Sequence, residues 1–233
     1  MEATTSNGKD KTMRLLGIDG SLGMFKWDFV YLLAQLTTDE RPGIPALAGP
    51  IESAMNDVEV RRGALEQAQS TAVMTTALVA KRDKGRDRLI IKMGGVARAT
   101  DRDVYERLFP KLSPSQTTKL GTDAETTEVT RILAELKGLE ATHPVRTAYE
   151  SSLTDAQAAL ALAKSQADAA EIALTLERSH VTRSKQEWDK LRLETHGKLV
   201  ALLGDKTEAE AFFRPAVSSP EEKNEAPVET ANG

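Results

Sequence analysis

Two pairs of side chains in this sequence have the spacing of metal ligands. Glu140 and His143, and again Glu177 and His180, stand three residues apart. That step places a carboxylate and an imidazole on one face of a helix. A carboxylate-bridged metal site in a four-helix bundle uses two such steps, plus one Glu from each of two other helices. His143 precedes Pro144, which disfavours helical backbone at that histidine, and the remaining glutamates of a full ligand set are not visible. A carboxylate/histidine metal-binding bundle is therefore the third-ranked reading, with no metal ligand, cofactor or catalytic residue assigned. The second chemistry is anion contact. Lys81, Arg82, Arg86, Arg88 and Lys92 form the densest basic segment, 81–92, and Arg178, Arg183 and Lys185 form a second one, 178–185. Clustered basic side chains suit a phosphate backbone or an acidic partner. Asp83 and Asp87 interleave with the first segment and no aromatic within it could stack on a base, so nucleic acid is an alternative and not the leading expectation.

Thiol chemistry is excluded because the chain has no Cys; disulfides and Cys-ligated zinc go with it. None of the three His residues lies in a nucleophile-bearing motif. The segment Arg14-Leu-Leu-Gly-Ile-Asp-Gly-Ser-Leu-Gly23 resembles the first phosphate-binding loop of the actin and sugar-kinase superfamily, and equally the opening strand of RNase H-like nucleases. Either resemblance implies an apolar strand that delivers the Asp19 carboxylate beside a Gly-rich turn. It covers ten residues, and both folds need several further β-branched strands that the downstream sequence lacks. The segment is read as a Gly-punctuated lead-in to a helix.

The elements that must position these residues are helices. Thr147 to Leu203 contains no Pro and a single Gly, Gly197. Its apolar positions step by four and three through Leu153, Ala156, Leu160, Ala163, Ala167, Ala170 and Leu174, then Val181, Trp188 and Leu191. That rhythm keeps one face toward a partner helix. Unbroken, such a helix is about 85 Å long at ~1.5 Å per residue. A second long helix is expected from about Ala46, with its stripe at Leu47, Ile51, Ala54, Val58, Leu65, Ala68, Ala72 and Val79. Gly63, Gly85 and Gly94-Gly95 are its weak points. Shorter helices are expected over 25–38, over Asp101–Phe109 with Thr100 or Asp101 as N-cap, over Thr127–Glu140, and over Asp205–Phe213 after a stop at Gly204. Trp27, Phe29, Phe109, Trp188, Phe212 and Phe213 are expected as core plugs and end-caps.

The two halves resemble each other. Residues 30–36 match 130–136, residues 51–57 match 149–155, residues 90–93 match 188–191, and residues 101–109 match 205–213, in the same order. Under this alignment Glu177 falls opposite Val79 and His180 opposite Arg82, so the symmetry supplies no second metal half-site. The expected architecture is all-α: an elongated helical bundle of two tandem helical hairpins, each of short, long and short helices with coiled-coil-like packing. A flexible N-terminal arm (1–24) leads to repeat 1 (25–112), a polar linker (113–126), repeat 2 (127–216) and a disordered acidic tail (217–233). The aromatic share is 4%, which suits narrow helix pairs better than a wide core. Net charge is −4 with mixed signs, which argues against a chain built to coat nucleic acid. No window spans a membrane and the polar N-terminus has no signal-like apolar stretch, so a cytoplasmic protein is expected. The leading function is a non-enzymatic structural or protein-interaction module, with a protein partner or self-association and a monomer favoured over a homodimer.

Overall fold

The computed structural model describes Met13 and residues 15–215; most of the expected N-terminal arm and the whole acidic tail, 217–233, lie outside the described residues. The described chain is helical: α1 (Leu22–Thr38), a 3-10 turn (Pro45–Leu47), α2 (Ala48–Thr100), α3 (Arg102–Leu108), α4 (Pro114–Thr117), α5 (Thr122–Lys137), α6 (Pro144–Leu203) and α7 (Lys206–Glu210). No described helix is long and apolar enough to cross a membrane. No strand occurs among the described residues, so the segment around Asp19 is a turn and not the opening strand of a phosphate-binding fold. Gly17, at φ +71°, makes that turn possible, and Ser21 Oγ accepts from Met24 N to start α1.

The two long helices are continuous over 53 and 60 residues. Neither Gly85 nor Gly94-Gly95 interrupts α2. Gly94 has a packing role instead. A Cβ there would come within 2.2 Å of Pro114 Cγ, so only glycine lets the 113–117 segment lie against the helix. Both stripes read from spacing are buried or half-buried along their length, from Ile51 to Val79 and from Leu153 to Leu191. The expected stop at Gly204 is present, with φ +70°.

The described chain divides into two compact units. Unit 1 takes its described residues from 13–65 and 177–215, hence α1, the start of α2, the end of α6, and α7. Phe25, Phe29, Leu32 and Leu36 of α1 form its core with Ile51, Trp188, Leu199, Phe212 and Phe213. Trp188 meets Phe25 at 5.3 Å between ring centroids and Phe29 edge-on at 6.5 Å, geometries that aromatic pairs prefer. Trp27 departs from expectation. It is 54% exposed, because the two-residue step from Phe25 turns it to the opposite side of the helix, and it lies under Lys26 Nζ.

Unit 2 is contiguous, residues 66–176. Ile90, Met93 and Ala97 of α2 pack with Val104, Leu108, Phe109, Val129, Ile132, Leu136 and Leu153. The linker expected over 113–126 is partly helical. Ser113 and Gln116 form a capping box for α4, Thr117 is buried, and α5 starts at Thr122. The physical reason is cap chemistry that a polar, Pro- and Gly-containing stretch conceals. Arg131 of α5 donates to the carbonyls of Arg107 and Leu108, placing a cation at the C-terminal end of α3.

Candidate functional site: two buried arginine–carboxylate clusters

Among the described residues, each unit buries one arginine. In unit 1 it is Arg192, on α6. Its Nε donates to Asp28 Oδ2 at 2.6 Å, Nη2 to Asp28 Oδ1 at 3.2 Å, and Nη1 to Asp189 Oδ1 at 2.8 Å. Asp189 also accepts from Leu16 N at 3.0 Å and Gly17 N at 2.7 Å, and Lys185 Nζ donates to Ile18 O at 2.9 Å. The lead-in segment is thereby strapped to α6. Burial raises Asp28 above the usual carboxylate range, with Arg192 pulling the other way. Burial also lowers Lys185, and the Asp19 charge opposes that.

In unit 2 the buried arginine is Arg86, on α2. Its Nη1 donates to Thr126 Oγ1 at 3.1 Å and Gln157 Oε1 at 2.9 Å, while Nη2 reaches Asp83 Oδ1 and Glu125 Oε2, each at 3.0 Å. Glu125 is only 1% exposed. Its Oε1, Asp87 Oδ1 and Arg86 Nε are buried without a hydrogen-bond partner. Burial, together with the Asp87 carboxyl beside it, pushes the Glu125 carboxyl up to about 7 against the pull of Arg86. One carboxylate oxygen from each of Asp83, Asp87 and Glu125 lies within 4.8 Å of the other two. Thr126 and Gln157 also line an open groove of about 320 Å³ with Leu160, Ala161 and Lys164.

The residues singled out from spacing fare unevenly. Glu140 lies beyond the end of α5 and His143 lies before α6, so their three-residue step is not on a helix. Glu177 and His180 do share a face of α6, with His180 Nδ1 3.4 Å from Glu177 Oε1, and both are half-buried instead of facing open solvent. No third metal-ligating side chain joins either pair among the described residues. Of the basic residues, Lys81, Arg82, Arg88 and Lys92 are exposed in unit 2, and Arg178 and Arg183 are exposed in unit 1. Arg86 must be removed from the anion-contact set, because it is buried against carboxylates. Lys185 is half-buried and engaged by the Ile18 carbonyl.

Sequence reasoning missed the Glu125 cluster. Asp83, Arg86 and Asp87 at steps of three and four look like an exposed ion-pair ladder. The available signal was Glu125 itself, which stands one full turn before Val129 on the apolar face of its helix. No family model, no curated protein and no solved structure matches this chain.

Proposed function

We propose that this protein is a non-enzymatic helical interaction module, built as a tandem duplication of a helical hairpin. The carrying observation is a set of large apolar side chains left on the outer faces of the long helices. Val60 and Val73 of α2 and Leu162 and Ile172 of α6 are each more than 60% exposed. Val73 adjoins exposed Met74 and Ile172 stands one turn from exposed Leu176, on helices whose other stripes are already buried, so core formation does not account for them. The duplication draws support from burial. Phe25, Phe29, Leu32 and Leu36 align at a spacing of 100 with Glu125, Val129, Ile132 and Leu136, and all eight are buried. Phe109 and Phe213 are buried after helices capped alike, by Asp101 and by Asp205.

The test is a photo-crosslinking residue placed at Val73 and, separately, at Ile172, with Arg102 as an exposed polar control. Discrete adducts from the two apolar positions and none from the control are expected. Light scattering separates self-association from a different protein partner. Equal, diffuse labelling at all three positions removes the reading.

A second reading, contact with an anionic partner, is favoured by one observation. Asp83 and Asp87 turn toward the buried cluster, which leaves Lys81, Arg82, Lys84, Arg88 and Lys92 as the exposed charges of that stretch. Binding to single- or double-stranded nucleic acid that weakens steeply with salt, and is lost in the Arg82→Ala/Arg88→Ala variant, is its expected signature. No band shift at low salt removes it.

A further inference from the structure

The carboxylates around Arg86 are more numerous than their partners. Three acids meet one guanidinium, so two negative charges stand uncompensated when all are ionised. Arg86 takes one oxygen of Asp83 and one of Glu125, which leaves the second oxygen of each to face elsewhere. Glu125 Oε1 and Asp87 Oδ1 are buried with no donor from any other residue, and the two carboxyls have only each other as partners when one is protonated. An unpartnered buried carboxylate oxygen is costly. The duplication sharpens the point, because the counterpart position in unit 1 holds Phe25, packed on Trp188. An apolar residue fits that place in the fold, yet unit 2 keeps a carboxylate there.

We propose that Asp83, Asp87 and Glu125 bind one hard divalent cation of the magnesium, manganese and calcium class. The donor set is oxygen only, which suits those ions and not zinc or copper. Two oxygens on one ion can be no further apart than twice the metal–oxygen distance, about 4.2 Å for magnesium and about 5 Å for calcium. The three oxygens lie within 4.8 Å of one another, inside the calcium span, and a smaller ion would need them to draw closer. Two positive charges balance the excess. Asp83 and Asp87 are half-buried, so the ion has a path in and water completes its shell. Gln157 and Thr126 hold the far side of Arg86, fixing the guanidinium that orients Asp83 and Glu125. The inference does not depend on the interaction reading.

The experiment uses the full chain, stripped with chelator, near pH 8, above the Glu125 carboxyl's value of about 7. Manganese is titrated with free ion followed by electron paramagnetic resonance, and calcium and magnesium by calorimetry. The expected result is saturable uptake of one ion per chain. Glu125→Gln and Asp87→Asn should each weaken it about tenfold or more, since affinity follows ligand charge. Asp168→Asn, on α6 of the same unit, should leave it unchanged. Broadening of amide resonances by manganese should centre on residues 83–87 and 125 of the unmodified protein, which locates the ion even if a variant fails to fold. Any of three results overturns the proposal: no saturable uptake of any of the three ions, affinity in Glu125→Gln and Asp87→Asn unchanged from the unmodified protein, or broadening centred elsewhere. In the first case Glu125 and Asp87 share a proton instead.

Discussion

Arg192 and Arg86 are both buried arginines on long helices, and both face two or more carboxylates, but their surroundings differ in completeness. Around Arg192, Asp28 receives two guanidinium hydrogen bonds, and Asp189 receives one from Arg192 and two from backbone amides. Around Arg86, one guanidinium nitrogen and two carboxylate oxygens are left without partners. Taking charges out of water is repaid only when the remaining donors and acceptors are satisfied. The satisfied cluster of unit 1 is a structural clamp that ties α1 and the lead-in segment to α6. The unsatisfied cluster of unit 2 has the capacity to take up something further. Burial of charge alone does not separate these two cases; the census of partners does.

The contrast can be broken most forcefully at Arg192. Arg192→Met strands Asp28 and Asp189 in the core, and urea denaturation should register a loss of about 3–5 kcal/mol. Adding Asp28→Leu should restore much of it. Arg86→Met should cost less, by about 1–2 kcal/mol at pH 6, because Glu125 can then carry a proton. Equal costs for the two arginines would sink the distinction drawn between the clusters.

A second comparison lies between adjacent glycines of α2. Gly94→Ala drives a methyl group into Pro114 and should destabilise by about 1–3 kcal/mol. Gly95→Ala meets open space and should stabilise by about 0.5–1 kcal/mol. Thermal melts of the two variants should move in opposite directions.

A third concerns pH in metal-free buffer. The Glu125 carboxyl rises from 4.5 to about 7 in the folded protein, so the fold holds a proton that the unfolded chain releases. Stability from this group is therefore present below about 4.5 and is lost as pH rises toward 7. The loss should be at most about 3 kcal/mol, at about 1.36 kcal/mol per pH unit. Glu125→Gln should flatten that part of the stability–pH curve, whereas Asp28→Asn should flatten only the segment that Asp28's own raised value controls. The smallest effects are at the caps. Asp101→Ala and Asp205→Ala each remove an acceptor from two backbone amides and should cost about 1 kcal/mol apiece.

The short capped helices after α2 and α6 were legible in the sequence, though the cap at Asp205 was not named, as were both long apolar stripes and the Gly204 stop, because each depends on residues within a turn or two of one another. Trp27 was not. Its neighbours at helical spacing mark an apolar face, but only packing on Trp188 decides that Phe25 and Phe29 turn inward and Trp27 outward. Pro114 and Gly94 make a contact twenty residues apart, which no local rule contains, so a stretch read as a linker proved partly helical and packed. Arg86 failed for a related reason. In sequence it belongs to a basic run, and its burial is set by Glu125 and Gln157, which arrive from two other helices. The site was hidden where charge pattern and tertiary position disagree.

The division of the chain also has a consequence for synthesis. Unit 2 is drawn from one uninterrupted stretch, residues 66–176, whereas unit 1 joins residues from both ends of the described chain. As the polypeptide leaves the ribosome, the residues of unit 2 all emerge before Trp188 and Arg192 do. The Phe25–Phe29 face of α1 and the Asp28 carboxylate must wait, solvated, for residues made more than 150 positions later. During that interval the first third of the chain is the part with apolar surface uncovered, and it is there that nascent-chain chaperones would have work to do.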